Sequence, residues 1–404
     1  MQINLNPDVL RKVAFLTGNA GFAALLPGVP AKKPFADDIV EFLNDVSKLL
    51  MKDRTAKTFP DVVTFAFWIR RASVLKLKER FEPGDNLFRL GKGVVFHVAP
   101  SNVPVNFAYS LAAGLLNGNA NVVRVPSKDF EQVRILVKAF GQALREHEEM
   151  MPYVLLVRYE RDKDVNDLFS SVADVRVTWG GDDTIAELRK SPLPPRSGEI
   201  TFADRYSLAV IDSDSYLAIE NKSRVAEDFY NDTFLTDQNA CTSPRIVVWT
   251  GTRIEEAKRL FWAAEHDLVR RNYAFQAIQG VNKLTECCLA AVAAPGCRIE
   301  EHEDNLIVRV SVQKVTDSLM DFRCNSGFFF EYDCKDILEL KELCNNKRCQ
   351  TIACIGSREA LLPLLNAGVR GIDRIVPMGK TMDFDLIWDG CHLPSLLTRV
   401  IPVS

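Results

Sequence analysis

GVVFHVAPSNVPVNFAYSLAAGLLNGNANVVRVPSKD, residues 93–129, decides the fold. It opens on GVVFHV, a short β-branched apolar run with the pattern of a strand buried on both faces. Residues 105–116, VNFAYSLAAGLL, form a compact apolar helix, NGN at 117–119 is a turn signal, and NVVRV at 121–125 is a second strand. Strand, helix and strand within about 30 residues make a βαβ unit.

The same alternation continues downstream. Ser127 or Asp129 is placed to cap a helix over about 130–147, whose apolar stripe is Phe130, Val133, Leu136, Val137, Phe140 and Leu144. VLLVRY (154–159) and DVRVTW (174–179) read as strands, and Gly180-Gly181 leads into a helix from about 183 to 190. KSPLPPRSGEI (190–200) reads as a loop. SLAVID (207–212) and IVVWTG (246–251) are strands, with helices over 220–235 and 253–272. Residues 306–312 and 328–333 read as strands, 335–346 as a helix, and 369–404 as short apolar runs between Gly and Pro. Upstream, 37–52 carries apolar residues at helical period, and 63–80 continues in that style. Alternating strands and helices predict mostly parallel sheets with helices on both faces.

A chain of 404 residues is long enough for two lobes with separate cores. The expected boundaries are 1–212 for N-terminal helices plus a dinucleotide-binding domain, 213–380 for a catalytic domain, and 381–404 for a tail packing back on the cofactor or oligomer side. A net charge of -3 gives no general nucleic-acid-binding surface. No run of 18 or more apolar residues predicts a membrane span, and the mixed N-terminus MQINLNPDVLRKV favours a cytoplasmic home. The ten cysteines all lie at or after residue 241 and read as free thiols, without zinc-finger spacing; the histidines are scattered, and no metal site is expected.

Four segments offer chemistry. Cys241, in Asp237-Gln238-Asn239-Ala240-Cys241-Thr242-Ser243-Pro244, lies in a polar stretch between a helix and a strand, where a nucleophile is exposed yet backed by rigid elements. A lone cysteine is more often a buried, inert thiol. Asn102, in the loop after the first strand, offers a side-chain N–H for an oxyanion; a plain Ser-Asn-Pro turn is the alternative. Arg124 and Ser127 follow the second strand, where a cation and a hydroxyl meet an adenosine ribose or its 2′-phosphate; a surface arginine and a helix cap are the alternative. Gly180-Gly181 lets backbone approach a pyrophosphate at a helix start, although G-x-G-x-x-G is absent. His97, at the end of a strand, reads as a core histidine with its hydrogen bonds satisfied.

Together these segments resemble the LuxC-type acyl-CoA reductases of the aldehyde dehydrogenase superfamily. The resemblance covers roughly 90–400 and rests on residues 97–129, on DQNACTSPR (237–245) and on DRIVPMGKTMDFDLIWDG (373–390). It implies two doubly wound α/β lobes, one binding cofactor and one catalytic, with the active site between them. It implies Cys241 as acyl-carrying nucleophile, Asn102 as oxyanion donor, and Ser101, Arg124, Pro126, Ser127, Gly180 and Gly181 as the cofactor-binding set. The lysine common in that set among relatives is Val125 here, which leaves Arg124 to serve a 2′-phosphate; NADPH is expected, with NADH as the alternative. Hydrolytic relatives carry a glutamate base about 34 residues before the cysteine; here Phe202-Ala203-Asp204-Arg205-Tyr206-Ser207 holds none, which favours reduction of the acyl-enzyme over hydrolysis. The implied substrate is an acyl-CoA, fatty acyl by resemblance, or an acyl-protein thioester. An acyl-activating partner enzyme and a homo-oligomer are also expected. Two other readings stay open: a cysteine acyltransferase or thioesterase without redox chemistry, and a non-catalytic partner of an acyl-activating enzyme.

Overall fold

The computed structural model describes residues 6–82, 87–294, 296–301 and 304–403. They form two compact units: one holds the chain up to Ala203 and again from Cys391, the other runs Asp204–Gly390.

In the first unit, Val94–Val98 lies inside a six-stranded sheet. On one side it pairs in parallel with Ala120–Arg124, which pairs in parallel with Val154–Arg158. On the other side it pairs in parallel with Val175–Trp179, then Gly198–Phe202. Ala14–Phe15 closes the far edge antiparallel. The chain thus builds outward from its first parallel strand in one direction, then returns to that strand and builds outward in the other. Val94–Val98 and Val175–Trp179 are buried along their whole length, as a sheet covered on both faces requires. Helix Asn106–Leu116 is buried almost throughout, which is why it reads as apolar all round rather than striped.

Some local expectations fail for identifiable reasons. The stretch 63–80, expected to continue in helical style, lies in two helices, Pro60–Trp68 and Arg71–Phe81, with Arg70 extended between them. Neither Ser127 nor Asp129 caps helix Glu131–Glu146: Phe130 holds the cap position without a side-chain bond, and Asp129 pairs with Arg134 at 2.6 Å. Gly198–Phe202 is a strand that begins inside the stretch read as a loop.

In the second unit, seven strands run in the order Arg298–Ile299, Val308–Ser311, Phe328–Asp333, Pro244–Thr250, Tyr206–Asp212, Cys349–Ile355 and Arg374–Pro377. Pairing is parallel except for Arg298–Ile299 at one edge. Alternation at period 2 sends Leu208, Val210, Ile246, Val248 and Phe330 to one core and Ala209, Ile211, Val247, Trp249 and Phe329 to the other.

Two expected boundaries move. Tyr206–Asp212, expected to end the first domain, is a central strand of the second sheet, so that unit begins at Asp204. The return to the first unit comes at Cys391 rather than 381, because Thr381 and Leu386 are buried within the second unit; beyond it, Thr398–Ile401 pairs antiparallel with Phe88–Gly91. Helix Ala277–Ala293 and strand Cys349–Ile355 were not foreseen.

Candidate active site

In the first unit the sequence candidates gather at the carboxyl ends of three adjacent strands. Ser101 and Asn102 lie on the loop after Val94–Val98, and both are exposed. Gly180 and Gly181 follow Val175–Trp179, the strand paired to the other side of Val94–Val98. The sheet reverses its direction of growth between these two strands, the switch point at which doubly wound sheets take ligands. Arg124 ends the next strand, followed by buried Pro126 and exposed Ser127. Arg124 is half-buried: its guanidinium lies 4.6 Å from the centre of the Tyr159 ring and donates to the Tyr159 carbonyl at 3.3 Å.

Beneath these ends runs a buried polar spine. His97 Nδ1 meets Ser110 Oγ at 2.7 Å and Nε2 meets Asn121 Oδ1 at 3.0 Å. Trp179 Nε1 donates to the same Ser110 oxygen at 3.0 Å. The spine ties three strands to helix Asn106–Leu116. Burial drives the His97 pKa down to about 4, against a smaller opposing effect of Asn121. His97 is therefore neutral, a satisfied core histidine. Gly114 is required here, because a Cβ would lie 1.9 Å from Asn121 Oδ1.

Helix Asp182–Leu188 begins at Gly181. Its first turn carries Asp182 and Asp183, which already supply the negative charge a helix N-terminus favours. A Cβ on Gly181 would meet nothing within 4 Å, so packing within the protein does not demand glycine there.

In the second unit, Cys241 sits on a tightly braced loop. Asp237 and Gln238 are both left-handed, with φ of 51°. Gln238 is fully buried. Its amide donates to the Pro244 carbonyl at 3.1 Å and the Phe328 carbonyl at 3.3 Å, and accepts from the Gly327 N–H at 2.7 Å. Gly327 is itself left-handed, and any Cβ would strike Leu306 O at 2.5 Å. Ser207, also fully buried, donates to the Cys241 carbonyl at 2.7 Å and accepts from Thr351 N–H at 3.3 Å. It lies where the ladders on both sides of its strand shift register. Thr242 donates to the Met382 sulfur at 3.1 Å. Met382 follows a turn that buried Asp232 holds through Gly379 N–H at 2.6 Å and Thr381 N–H at 3.0 Å. Ala240, Thr242, Ser243 and Pro244 are buried, and Cys241 is more exposed than these neighbours although its sulfur is largely withdrawn from solvent.

Three polar side chains set the field at the sulfur. The thiol is pushed up to about 12, by burial first, then by Asp389 and Asp204, against hydrogen bonding from the Gln350 side chain. At neutral pH Cys241 is a thiol. Asp204 is paired with Arg323, so its charge is already engaged. Sequence reasoning missed Ser207, Gln350 and Asp389, and took Gln238 only as a polar neighbour. Their signal was polar residues within otherwise buried strands or turns, which shows its meaning only once those elements are brought together. All ten cysteines are thiols rather than disulfides. No group of three or more His, Cys, Asp or Glu suited to a metal occurs among the described residues, and no described helix is long and apolar enough to cross a membrane.

The family model described as acyl-CoA reductase (LuxC) matches residues 31–273, more than half of the chain and inclusive of both Asn102 and Cys241. The chain belongs to the acyl-CoA reductase (LuxC) family. Family relatives include a long-chain acyl-protein thioester reductase of Vibrio harveyi, 30% identical over 170 residues, and one of Aliivibrio fischeri, 26% identical over 164. These matches take in 41% and 40% of this chain, and 34% and 33% of the relatives, so it aligns with about a third of their length. The 373–390 stretch lies beyond the family match.

Solved structures place the fold. A benzaldehyde dehydrogenase from Corynebacterium glutamicum superposes with a TM-score of 0.62 at 15% identity, covering 95% of this chain and 88% of its own. A 1-pyrroline-5-carboxylate dehydrogenase from Thermus, solved with bound NAD, gives 0.63 at 12%, covering 97% and 84%. This LuxC-family chain has the aldehyde dehydrogenase fold.

Proposed function

We propose that this protein reduces an acyl thioester to the aldehyde through an acyl-Cys241 intermediate. The observation that carries the reading is the braced loop that holds the partly buried Cys241, with the Gln350 side chain beside its sulfur. The printed names of the relatives, acyl-protein thioester reductases, support the substrate class.

The first step is exchange: the Cys241 sulfur bonds to the acyl carbon, the acyl–sulfur bond of the donor breaks, and the Cys241 S–H proton leaves with the departing thiol. Because the resting thiol is pushed up to about 12, proton loss and attack run together rather than from a standing thiolate. Asn102 is the oxyanion donor on resemblance, with a contribution of about 3 kcal/mol, as for other donors of this kind. No glutamate stands in the 202–207 stretch, and Asp204 is occupied by Arg323, so water lacks an activating base there and the acyl-enzyme persists.

The first unit suits a nicotinamide dinucleotide. Its strand order opens a crevice at the ends of Val94–Val98 and Val175–Trp179, and Gly181 leaves open space where a backbone can approach a diphosphate. We assign Ser101, Gly180 and Gly181 to the diphosphate side and Arg124, Pro126 and Ser127 to the adenosine ribose, with NADPH the expected form and NADH the alternative. When bound, the cofactor supplies the hydride that releases the acyl group as aldehyde. The donor is an acyl-CoA or an acyl-protein.

Cys241→Ala tests this directly. Aldehyde formation and acyl-dependent NAD(P)H oxidation should fall below detection while cofactor binding persists. Unchanged aldehyde release would refute the role of Cys241, and acyl labelling of the wild type without NAD(P)H oxidation would favour an acyltransferase.

A further inference from the structure

A thiol's reactivity depends on what holds its sulfur and which charges face it. Behind Cys241 stands a pair of buried polar residues far apart in sequence. Gln350, fully buried at the register shift of its strand, donates from Nε2 to Asp389 Oδ1, and its side chain lies beside the Cys241 thiol, whose pKa it lowers. Gln350 Oε1 is buried with no hydrogen-bond partner among the described residues, so the amide is held through its nitrogen. Asp389 is 6% exposed and left-handed, with φ of 48°, and Gly390 continues the turn at 71°. A left-handed non-glycine residue is uncommon and is sustained here by its surroundings. Asp373, Arg374, Arg205 and Gln350 face the Asp389 carboxyl.

We propose that Asp389 is a positioning and regulating residue for Cys241: it fixes the Gln350 donor on the sulfur, and its own negative charge, when present, opposes thiolate formation. This rests on the reading of Cys241 as the nucleophile. Burial, then Asp373, pushes the Asp389 carboxyl up to about 7, while Gln350, Arg374 and Arg205 oppose the shift. The brake is therefore released below neutrality and applied above it.

The test is site-resolved alkylation of Cys241 by iodoacetamide in the whole folded protein, followed by peptide mass spectrometry from pH 6 to 9. Asp389→Asn removes the charge, and asparagine tolerates the left-handed backbone. Its alkylation rate should match wild type at pH 6 and exceed it about tenfold by pH 8.5, one unit of thiol pKa. Gln350→Met keeps volume, removes the donor, and should slow alkylation several-fold throughout. If Asp389→Asn does not fold, Asp389→Gly, whose backbone accepts that φ, removes the charge together with the hold on Gln350, and the rise in its ratio to wild type from pH 6 to pH 8.5 is then the readout. A variant-to-wild-type ratio flat at one across the range overturns the proposal. Acyl-dependent NAD(P)H oxidation is measured alongside. The expected alkylation shift with no turnover by wild type removes the reductase reading and leaves this one standing; turnover without the shift does the reverse.

Discussion

Around Cys241 the protein supplies the contacts itself, whereas the strand ends of the first unit present their candidates outward. Gln238, Ser207 and Thr242 are buried and hydrogen-bonded, and they brace the loop that holds the cysteine. Ser101, Asn102, Ser127 and Gly181 are exposed, and Gly181 has open space in place of a side chain. A nucleophile must be held within a fraction of an ångström, so its support is built in. A dinucleotide is recognised along an extended crevice, and the sheet supplies that by topology.

The contrast can be broken at its strongest point first. Gln238→Ala leaves the Gly327 N–H and the Pro244 and Phe328 carbonyls without their partner, at a cost of about 4 kcal/mol. We expect melting to fall by about 10 °C, with Cys241 alkylation losing its distinct rate. A variant as stable as wild type would mean that the brace is ornamental.

The spine beneath the strand ends is the next point. The His97 pKa is about 4 when folded against an ordinary 6.5, so the unfolded chain takes up its proton first. Stability falls between pH 6.5 and about 4 by about 3 kcal/mol on this account and levels off below. His97→Gln should remove that loss from the acid limb of a denaturation profile. An unchanged limb would place the acid sensitivity elsewhere.

The smallest expected effect sharpens the other side. Gly181→Val should raise KM for the nicotinamide cofactor about tenfold, or about 1.4 kcal/mol. Melting and Cys241 alkylation should stay at wild-type values, because the protein leaves that space free. A fall in melting with unchanged KM would make the glycine structural.

Sequence alone gave most of the α/β alternation, because buried parallel strands are short β-branched runs between strongly periodic helices. Helix Ala277–Ala293 escaped because its pattern is inverted. Leu284 is 65% exposed and Val292 84%, while Lys283 is buried and donates to the Asn305 and Leu306 carbonyls at 2.7 and 2.9 Å. Strand Cys349–Ile355 carries Gln350 and Thr351 among its buried residues, which weakens its apolar run, and those two residues are the ones turned to the Cys241 loop through Gln350 itself and through Ser207. Cys241 and Asn102 stand out as candidates from their surrounding segments. Gln350 and Asp389 do not, since Gln350 lies on a strand that the sheet orders out of sequence and Asp389 in a left-handed turn far along the chain.

The most direct measurement is peptide mass spectrometry of the protein mixed with a long-chain acyl-CoA in the absence of cofactor, then with NADPH added. An acyl group should appear on the Cys241 peptide alone, and disappear on NADPH addition with one aldehyde released per label lost. A label on another residue, or one on Cys241 that NADPH leaves in place, would contradict the account.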